Sequence, residues 1–522
     1  MPEREADRLA YHPCTCCPCD HPDIVQAADV TRRAFLTATG MATAAGLALP
    51  ALGAVAGGAD RPRPTPIRRP LVVQPVFNCH VYERAPAKSW RVTGAIQDEA
   101  ELREEEQHIR RDLEQLAASA DFPLQVLPLA TVRTVEEAAA MAQRPYDVLI
   151  IYAARRNVPV LEDLASPDRW NLMFVRHRSG PLYYMYIGAH AHFLRKGRDP
   201  ISQTRMGVHD VVVDDHGEVL WRLRALAGLK NTLGKRVVAV GGPAGWGADG
   251  RLAPEQARQT WKFDFRDVSY PELGERIKRA RQDEALVKRC RADAQNYLQQ
   301  PQVTLETTRE FVEKAFLLNE VFYDLLREAE TDAITINSCM STIMPISETT
   351  ACLPLTLLND SGCLAFCESD FVAIPAGVLL HYISGRPVFL CNPSMPHRGV
   401  MTVSHCTAPR RMDGKSLEPV RVLTHYESDF GAATKVEMRK GQAITMIDPD
   451  FAGRRWLGVE GEIIDTPFFP ICRTQLDVRL KGDWERLAEE IRGFHWMVAY
   501  GSYLREVGYA LRKAGVDWLK IG

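Results

Sequence analysis

Four polar residues stand where apolar runs end, and their types suit metal chemistry. Cys363-Leu-Ala-Phe-Cys-Glu368 reads as a strand that stops on a carboxylate, and Pro387-Val-Phe-Leu-Cys391 as one that delivers Asn392. One helix, over about residues 371–383, separates them, so Glu368 and Asn392 are expected as neighbours on adjacent parallel strands. In an open α/β sheet, ligands collect at the carboxyl ends of strands. Val403-Ser-His-Cys-Thr-Ala408 breaks on His405, and Gly493-Phe-His-Trp-Met-Val498 sets His495 ahead of another buried segment. A carboxylate, an amide oxygen and imidazoles can together hold a divalent cation such as Mn2+. Taken singly, each has a plainer reading: a strand-end glutamate hydrogen-bonded into the structure, or a histidine in core or surface. Asp370 is close to Glu368 but is expected to point elsewhere along the helix start.

The elements that must carry these residues follow from periodicity. Leu71-Val-Val-Gln-Pro-Val-Phe77, Leu124-Gln-Val-Leu-Pro-Leu129 and Asp147-Val-Leu-Ile-Ile-Tyr152 read as strands. A charged helix over about 98–119 has Leu102, Ile109, Leu113 and Leu116 at helical spacing, and a shorter helix covers 135–142. This alternation argues for a parallel sheet with helices on its faces. A second unit begins after about residue 199, with a helix at 217–227 and the strand Arg236-Val-Val-Ala-Val-Gly241. The loop Gly241-Gly-Pro-Ala-Gly-Trp-Gly247 matches neither common phosphate-binding glycine pattern; it reads as a sharp strand-to-helix connection that lets a ligand approach. Helices over about 270–299 and 305–329 follow, then the strand Ala333-Ile-Thr-Ile-Asn337. Beyond Ser394, short strands among Gly, Pro and Asp suggest a β-rich, barrel-like region closed by two helices. The expected fold is therefore α/β: two Rossmann-like parallel-sheet domains, 71–198 and 199–393, then a β-rich domain, 394–522.

The N-terminal segment, residues 1–60, carries a different signal. Thr31-Arg32-Arg33-Ala34-Phe35-Leu36 pairs two arginines ahead of an uncharged stretch, and Ala54-Val55-Ala56 offers a small-x-small cleavage site. Arg32 and Arg33 thus mark a twin-arginine export signal, with the twin-arginine translocase as a partner and a periplasmic or extracellular destination. The stretch is only mildly apolar and holds five glycines between Gly40 and Gly58; if uncut, it would tether the chain to a membrane. Residues 61–70, Arg-Pro-Arg-Pro-Thr-Pro-Ile-Arg-Arg-Pro, read as an extended linker.

Composition narrows the rest. The chain has 64 Lys and Arg against 66 Asp and Glu, so nothing calls for nucleic acid as a partner. Cys14, Cys16, Cys17 and Cys19 crowd the segment before the arginines, as a metal-binding group or as the product of an early start site. The nine cysteines downstream are odd in number and lack framework spacing, so buried, reduced thiols are expected.

The stretch Leu358-Asn-Asp-Ser-Gly-Cys-Leu-Ala-Phe-Cys-Glu-Ser-Asp370 resembles the metal-ligand segment of the L-fucose isomerase and L-arabinose isomerase superfamily. So do Tyr382-Ile-Ser-Gly-Arg-Pro-Val-Phe389, Val403-Ser-His-Cys-Thr-Ala-Pro409, and Gly493-Phe-His495 followed by Tyr500-Gly501. The resemblance is good over 333–501 and thin over 71–330. It implies a Mn2+-dependent aldose–ketose isomerase that works through an ene-diol on a small carbohydrate, with the cation bridging two neighbouring sugar oxygens. Glu368 matches the first acidic ligand, His495 the last ligand and His405 the additional histidine of the arabinose branch. The second acidic ligand falls at Asn392, which can coordinate through its carbonyl oxygen but cannot act as a general base. That departure, with export away from cytoplasmic catabolism, keeps open a non-isomerising carbohydrate-binding or metal-dependent protein on the same fold. The family also implies a homo-oligomer, a trimer or hexamer, in which a neighbouring first domain completes the pocket. Trp90, His190 and His192 are then candidates to line a sugar site by stacking and hydrogen bonding, against a plain reading as loop packing.

Overall fold

The computed structural model describes residues 66–522, apart from Tyr82, Ser89, residues 92–93, Ala95, residues 156–157, 166–167 and 184–205. Arg32, Arg33, the Cys14–Cys19 group, His190, His192 and the expected border near residue 199 lie outside the described residues. Residues 66–70, the end of the expected linker, carry no regular secondary structure, and they are pinned. Ile67 N donates to Asp332 Oδ2 at 2.6 Å, and Arg69 N donates to Asn231 Oδ1 at 2.7 Å.

The first sheet contains β1 (Leu71–Asn78), β2 (Leu124–Val126), β3 (Ala130–Val132), β4 (Val148–Ala153), β5 (Trp170–Val175) and β6 (Val211–Val213). Every pairing is parallel, in the order β2-β1-β4-β5-β6, with β3 also on β1. All six residues of β4 are buried, as a central strand covered on both faces requires. The expected strand at 124–129 ends at Val126, and a second short strand, β3, starts beyond it at Ala130; both lie alongside β1. The helix Glu99–Ala118 begins where the Asp98 side chain accepts from the N–H groups of Ala100 and Glu101. Its buried Leu102, Ile109, Leu113 and Leu116 are the periodic residues read from the sequence.

A second parallel sheet is built from β7 (Arg236–Val240), β8 (Asp264–Val268), β10 (Ala333–Ile336) and β11 (Leu364–Phe366), ordered β11-β10-β7-β8. The strand β9 (Val303–Glu306) leaves this sheet to pair with the C-terminal region. The expected helix over 305–329 therefore starts later, at Arg309, behind the N-cap Thr308.

The C-terminal region is a closed six-stranded antiparallel barrel. Its members are β12 (Phe389–Pro393), β13 (Val400–His405), β16 (Ala443–Pro449), β17 (Arg455–Asp465), β18 (Thr474–Lys481) and β19 (Trp496–Tyr500). The circuit runs β16-β19-β12-β13-β18-β17 and closes where β17 pairs with β16. A further strand, β20 (Asp517–Ile521), lies parallel to β17, while β14 (Val420–His425) and β15 (Phe430–Val436) form a small sheet with β9.

This places β12 differently from the sequence reading. It is a barrel strand between β13 and β19, and not the parallel neighbour of β11. The apolar run at 387–391 suits either position, because a buried parallel strand and a barrel strand share that composition. Between β11 and β12 the helix Ile374–Ser384 is buried along its whole length. Gly377 lets it close on both sides: a Cβ there would stand 2.7 Å from the Phe366 ring and 2.9 Å from Met497 Sδ. Sheet two and the barrel are thereby locked together, with the end of β11 facing the start of β19. Among the described residues, no helix is long and apolar enough to cross a membrane.

Candidate metal centre

Three of the four residues singled out in the sequence meet at this junction. Glu368 Oε1 lies 3.6 Å from His405 Nε2, and Glu368 Oε2 lies 3.3 Å from His495 Nε2. The two imidazole centroids are 6.0 Å apart. Both histidines are buried, whereas Glu368 keeps 32 % of its side-chain surface open, so the cluster has a solvent-facing side.

The backbone explains how Glu368 turns toward the barrel. Glu368 and Ser369 have φ of +64° and +47°, two consecutive left-handed residues separated from β11 by Cys367 alone. That conformation is costly for residues bearing a Cβ and persists only where its surroundings hold it. Here the loop after β7 does so. Ala244 N donates to Ser369 O at 3.2 Å, and Phe371 N donates to Ala244 O at 3.0 Å. Trp246 N donates to Asp370 Oδ1 at 3.1 Å, and the Trp246 ring stacks on Phe494 at 3.6 Å between centroids. The glycine-rich loop thus fastens the Glu368–Asp370 turn to the segment that carries His495. Gly241 and Gly242, both at positive φ, start it, and a Cβ on Gly241 would collide with the Tyr270 hydroxyl.

Each imidazole is oriented through its other nitrogen. His495 Nδ1 is 2.7 Å from Asp370 Oδ2, a buried pair, and His405 Nδ1 is 3.2 Å from Thr407 Oγ1. Asp370 therefore does not point elsewhere, as its place before the helix suggested; the left-handed turn brings it under His495. The His495 segment is fixed from behind by Asp448, whose two oxygens accept from Arg492 N at 2.9 Å and Gly493 N at 2.8 Å.

Electrostatics set the protonation pattern. Burial opposes the charge on Glu368, but the two imidazoles outweigh it and hold the carboxyl well below the usual carboxylate range. Burial also opposes a charged His495, yet Asp370 and Glu368 prevail and push it up to about 10. Burial and the Glu368 charge raise the Cys367 thiol well above its usual range. His425, at the end of β14, falls to about 4 through burial, with His405 and Arg473 adding to the effect.

The donor set fits a cation. His495 Nε2 is buried and makes no hydrogen bond; its 3.3 Å approach to Glu368 lacks hydrogen-bond geometry. An imidazole held at Nδ1 by a carboxylate, with Nε2 aimed at an acidic neighbour, is the arrangement of a metal-ligating histidine. Among the described residues, the set whose donor atoms all lie within 4.8 Å of one another is Cys367, Glu368 and His405. His495 falls outside that set and approaches the carboxylate from its other edge.

The remaining expected residues are placed as follows. Asn392 pairs with Ser404 on β13. The β12–β19 register is Phe389↔Val498, Leu390↔Met497, Cys391↔Trp496, so Asn392 follows the last paired residue of β12 on that side and His495 precedes the first of β19. Asn392 is thus a barrel residue, paired with the residue before His405, and not the parallel-sheet neighbour of Glu368. Trp90 is half-buried in the loop after β1, with the guanidinium groups of Arg84 and Arg91 at 5.2 and 5.4 Å from its ring centroid. Cys367, Asp370 and His425 belong to the surroundings of the site and were not singled out beforehand. Strand alternation hides the first two beside Glu368, and His425 is one more histidine at a strand end. All nine described cysteines are free thiols.

These features define a mixed α/β protein, with parallel sheets ahead of a closed antiparallel barrel and a carboxylate–imidazole cluster at their junction. No family model matches the chain, and no curated protein is similar to it.

Proposed function

We propose that this chain is a divalent-metal-dependent, aldose–ketose isomerase-like protein acting on a small carbohydrate, with Glu368, His405 and His495 around its metal site. The observation that carries this is the buried, unbonded Nε2 of His495, aimed with His405 at one partly open carboxylate. The parallel order β2-β1-β4-β5-β6, with its reversal beside β1, supports reading the first sheet as Rossmann-like. The β11-β10-β7-β8 order, reversing between β10 and β7, supports the same reading of the second.

A cation such as Mn2+ would supply Lewis-acid polarisation of a sugar carbonyl. The chain's own residues do the rest. Asp370 and Thr407 fix the ring orientations of His495 and His405. Glu368, on the open side, is the carboxylate positioned to carry a proton between neighbouring sugar carbons. Asn392, paired on β13 with the residue before His405, can hydrogen-bond a hydroxyl but cannot hold a proton in transit.

Incubation of the purified chain with Mn2+ and a panel of aldoses tests the reading. Ketose formation that disappears in Glu368→Gln is expected. Tight sugar binding without turnover, indifferent to chelator, would sink it. Asn392 favours a second reading, a non-isomerising carbohydrate-binding or metal-dependent protein on the same scaffold; isomerase activity that appears only in Asn392→Asp would select it. Twin-arginine export to the periplasm or beyond, and assembly as a homo-oligomer, belong to the same proposal.

A further inference from the structure

We propose that Cys367 is a metal ligand, and that the chain selects a borderline cation such as Zn2+, Co2+ or Fe2+ over Mn2+. The inference rests on the metal-site reading above and narrows its chemistry.

The backbone geometry is the first support. Successive side chains of an extended strand point to opposite faces. Cys367 and Glu368 follow β11 directly, yet their donor atoms lie with His405 inside a 4.8 Å circle. The left-handed φ at Glu368 breaks the alternation, and the Cys367 and Glu368 donor atoms come to one side. A turn serving only to aim a carboxylate would not need the preceding thiol as well.

The donor chemistry is the second support. Metal–sulfur bonds of about 2.3 Å and metal–nitrogen or metal–oxygen bonds of about 2.0–2.2 Å place ligand atoms closer together than 4.8 Å. Small rotations of Cys367, Glu368 and His405 would close the set. Thiolate ligands favour softer cations, whereas carboxylate, carbonyl and water suit Mn2+. On coordination the Cys367 thiol gives its proton to solvent and binds as thiolate. Glu368 stands between His405, 3.6 Å from Oε1, and His495, 3.3 Å from Oε2. His495, backed by Asp370, keeps its unbonded Nε2 available as a fourth donor.

The neighbouring thiols supply the control. Cys406 shares hydrogen bonds with the thiols of Cys352 and Cys472, but this row does not bring three donor atoms mutually within 4.8 Å.

Titration of the full apo chain with Co2+ reads the ligand directly. A near-ultraviolet sulfur-to-cobalt charge-transfer band is expected in the unsubstituted protein. It should vanish in Cys367→Ser and persist in Cys352→Ser and Cys472→Ser. In Cys367→Ser, the preference for Zn2+ over Mn2+ in competition should fall by roughly tenfold or more, since loss even of an outer partner costs about 10–100-fold in affinity. X-ray absorption of the Zn2+-loaded unsubstituted chain needs no variant and should show one sulfur at about 2.3 Å. Co2+ bound without a thiolate band, or a band that follows Cys352 or Cys472, overturns the assignment of Cys367 and leaves the metal site standing. Failure to bind either Co2+ or Mn2+ overturns the metal-site reading itself.

Discussion

Around Glu105, near the first sheet, two carboxylates and two imidazoles gather about a guanidinium. Arg176 Nε lies 2.6 Å from Glu105 Oε1 and its Nη2 lies 2.6 Å from Asp112 Oδ2, with Arg176 and Glu105 both buried. His108 and His216 flank Asp112 at 3.7 and 3.9 Å, and the Tyr183 hydroxyl donates to Glu105. Around Glu368, the contacts of the carboxylate are imidazoles, and His495 Nε2 is left without a hydrogen bond. The residue types are similar, but the source of counter-charge differs. A buried carboxylate must be neutralised or paired. In the first cluster a guanidinium, which keeps its proton, provides the cation; in the second an imidazolium, His495, does so, and a metal ion from solution can take the place of its proton.

The comparison breaks most visibly at Arg176. In Arg176→Met, Glu105 stays buried without its guanidinium, and removal of one partner of such a pair costs about 3–5 kcal/mol. Urea unfolding should show that loss, and added divalent cation should not recover it. Full recovery by Zn2+ or Mn2+ would mean that the two clusters are interchangeable.

Asp370→Asn comes next. The change keeps the size of the side chain but removes the carboxylate behind His495, so cation affinity should fall by about 10–100-fold, as for other outer partners. Calorimetric titration reads this, and an unchanged affinity would make the Asp370–His495 pair purely structural.

A third carboxyl separates scaffold from charge. Burial raises Asp448 to about 7, outweighing the N–H groups of Arg492 and Gly493 that favour its ionised form. The ordinary aspartate value is 3.8. Between the two values the folded chain holds a proton that the unfolded chain has lost, so stability falls as pH rises from about 4 to 7. One such group contributes a slope of up to about 1.4 kcal/mol per pH unit. Unfolding of Asp448→Asn across that window should show a shallower decline. An unaltered slope would assign the decline to other groups.

The legible part of the site was the part written in single residues at the ends of apolar runs. Glu368, His405 and His495 announce themselves in this way, and they converge. What the sequence concealed depends on backbone direction. Two left-handed residues after β11 turn Asp370 from its expected direction toward His495 and leave Cys367 beside Glu368, and neither Glu368 nor Ser369 is a residue type that signals such a turn. The fold shows the same division. Parallel strands alternating with helices, and a β-rich end, were readable from periodicity. The membership of β12 was not, since an apolar run does not state which sheet it joins, and β9 leaves its neighbours for a pairing that depends on residues more than a hundred positions away.

The central claim is that the Glu368 cluster binds a cation that replaces the proton of His495. Calorimetric titration of the full apo chain and of Glu368→Gln with Zn2+ and Mn2+ tests it most directly. The unsubstituted chain should bind one cation, and the variant, still folded by circular dichroism, should bind none at the same concentrations. Equal binding by both, or no binding by the unsubstituted chain, would contradict the account.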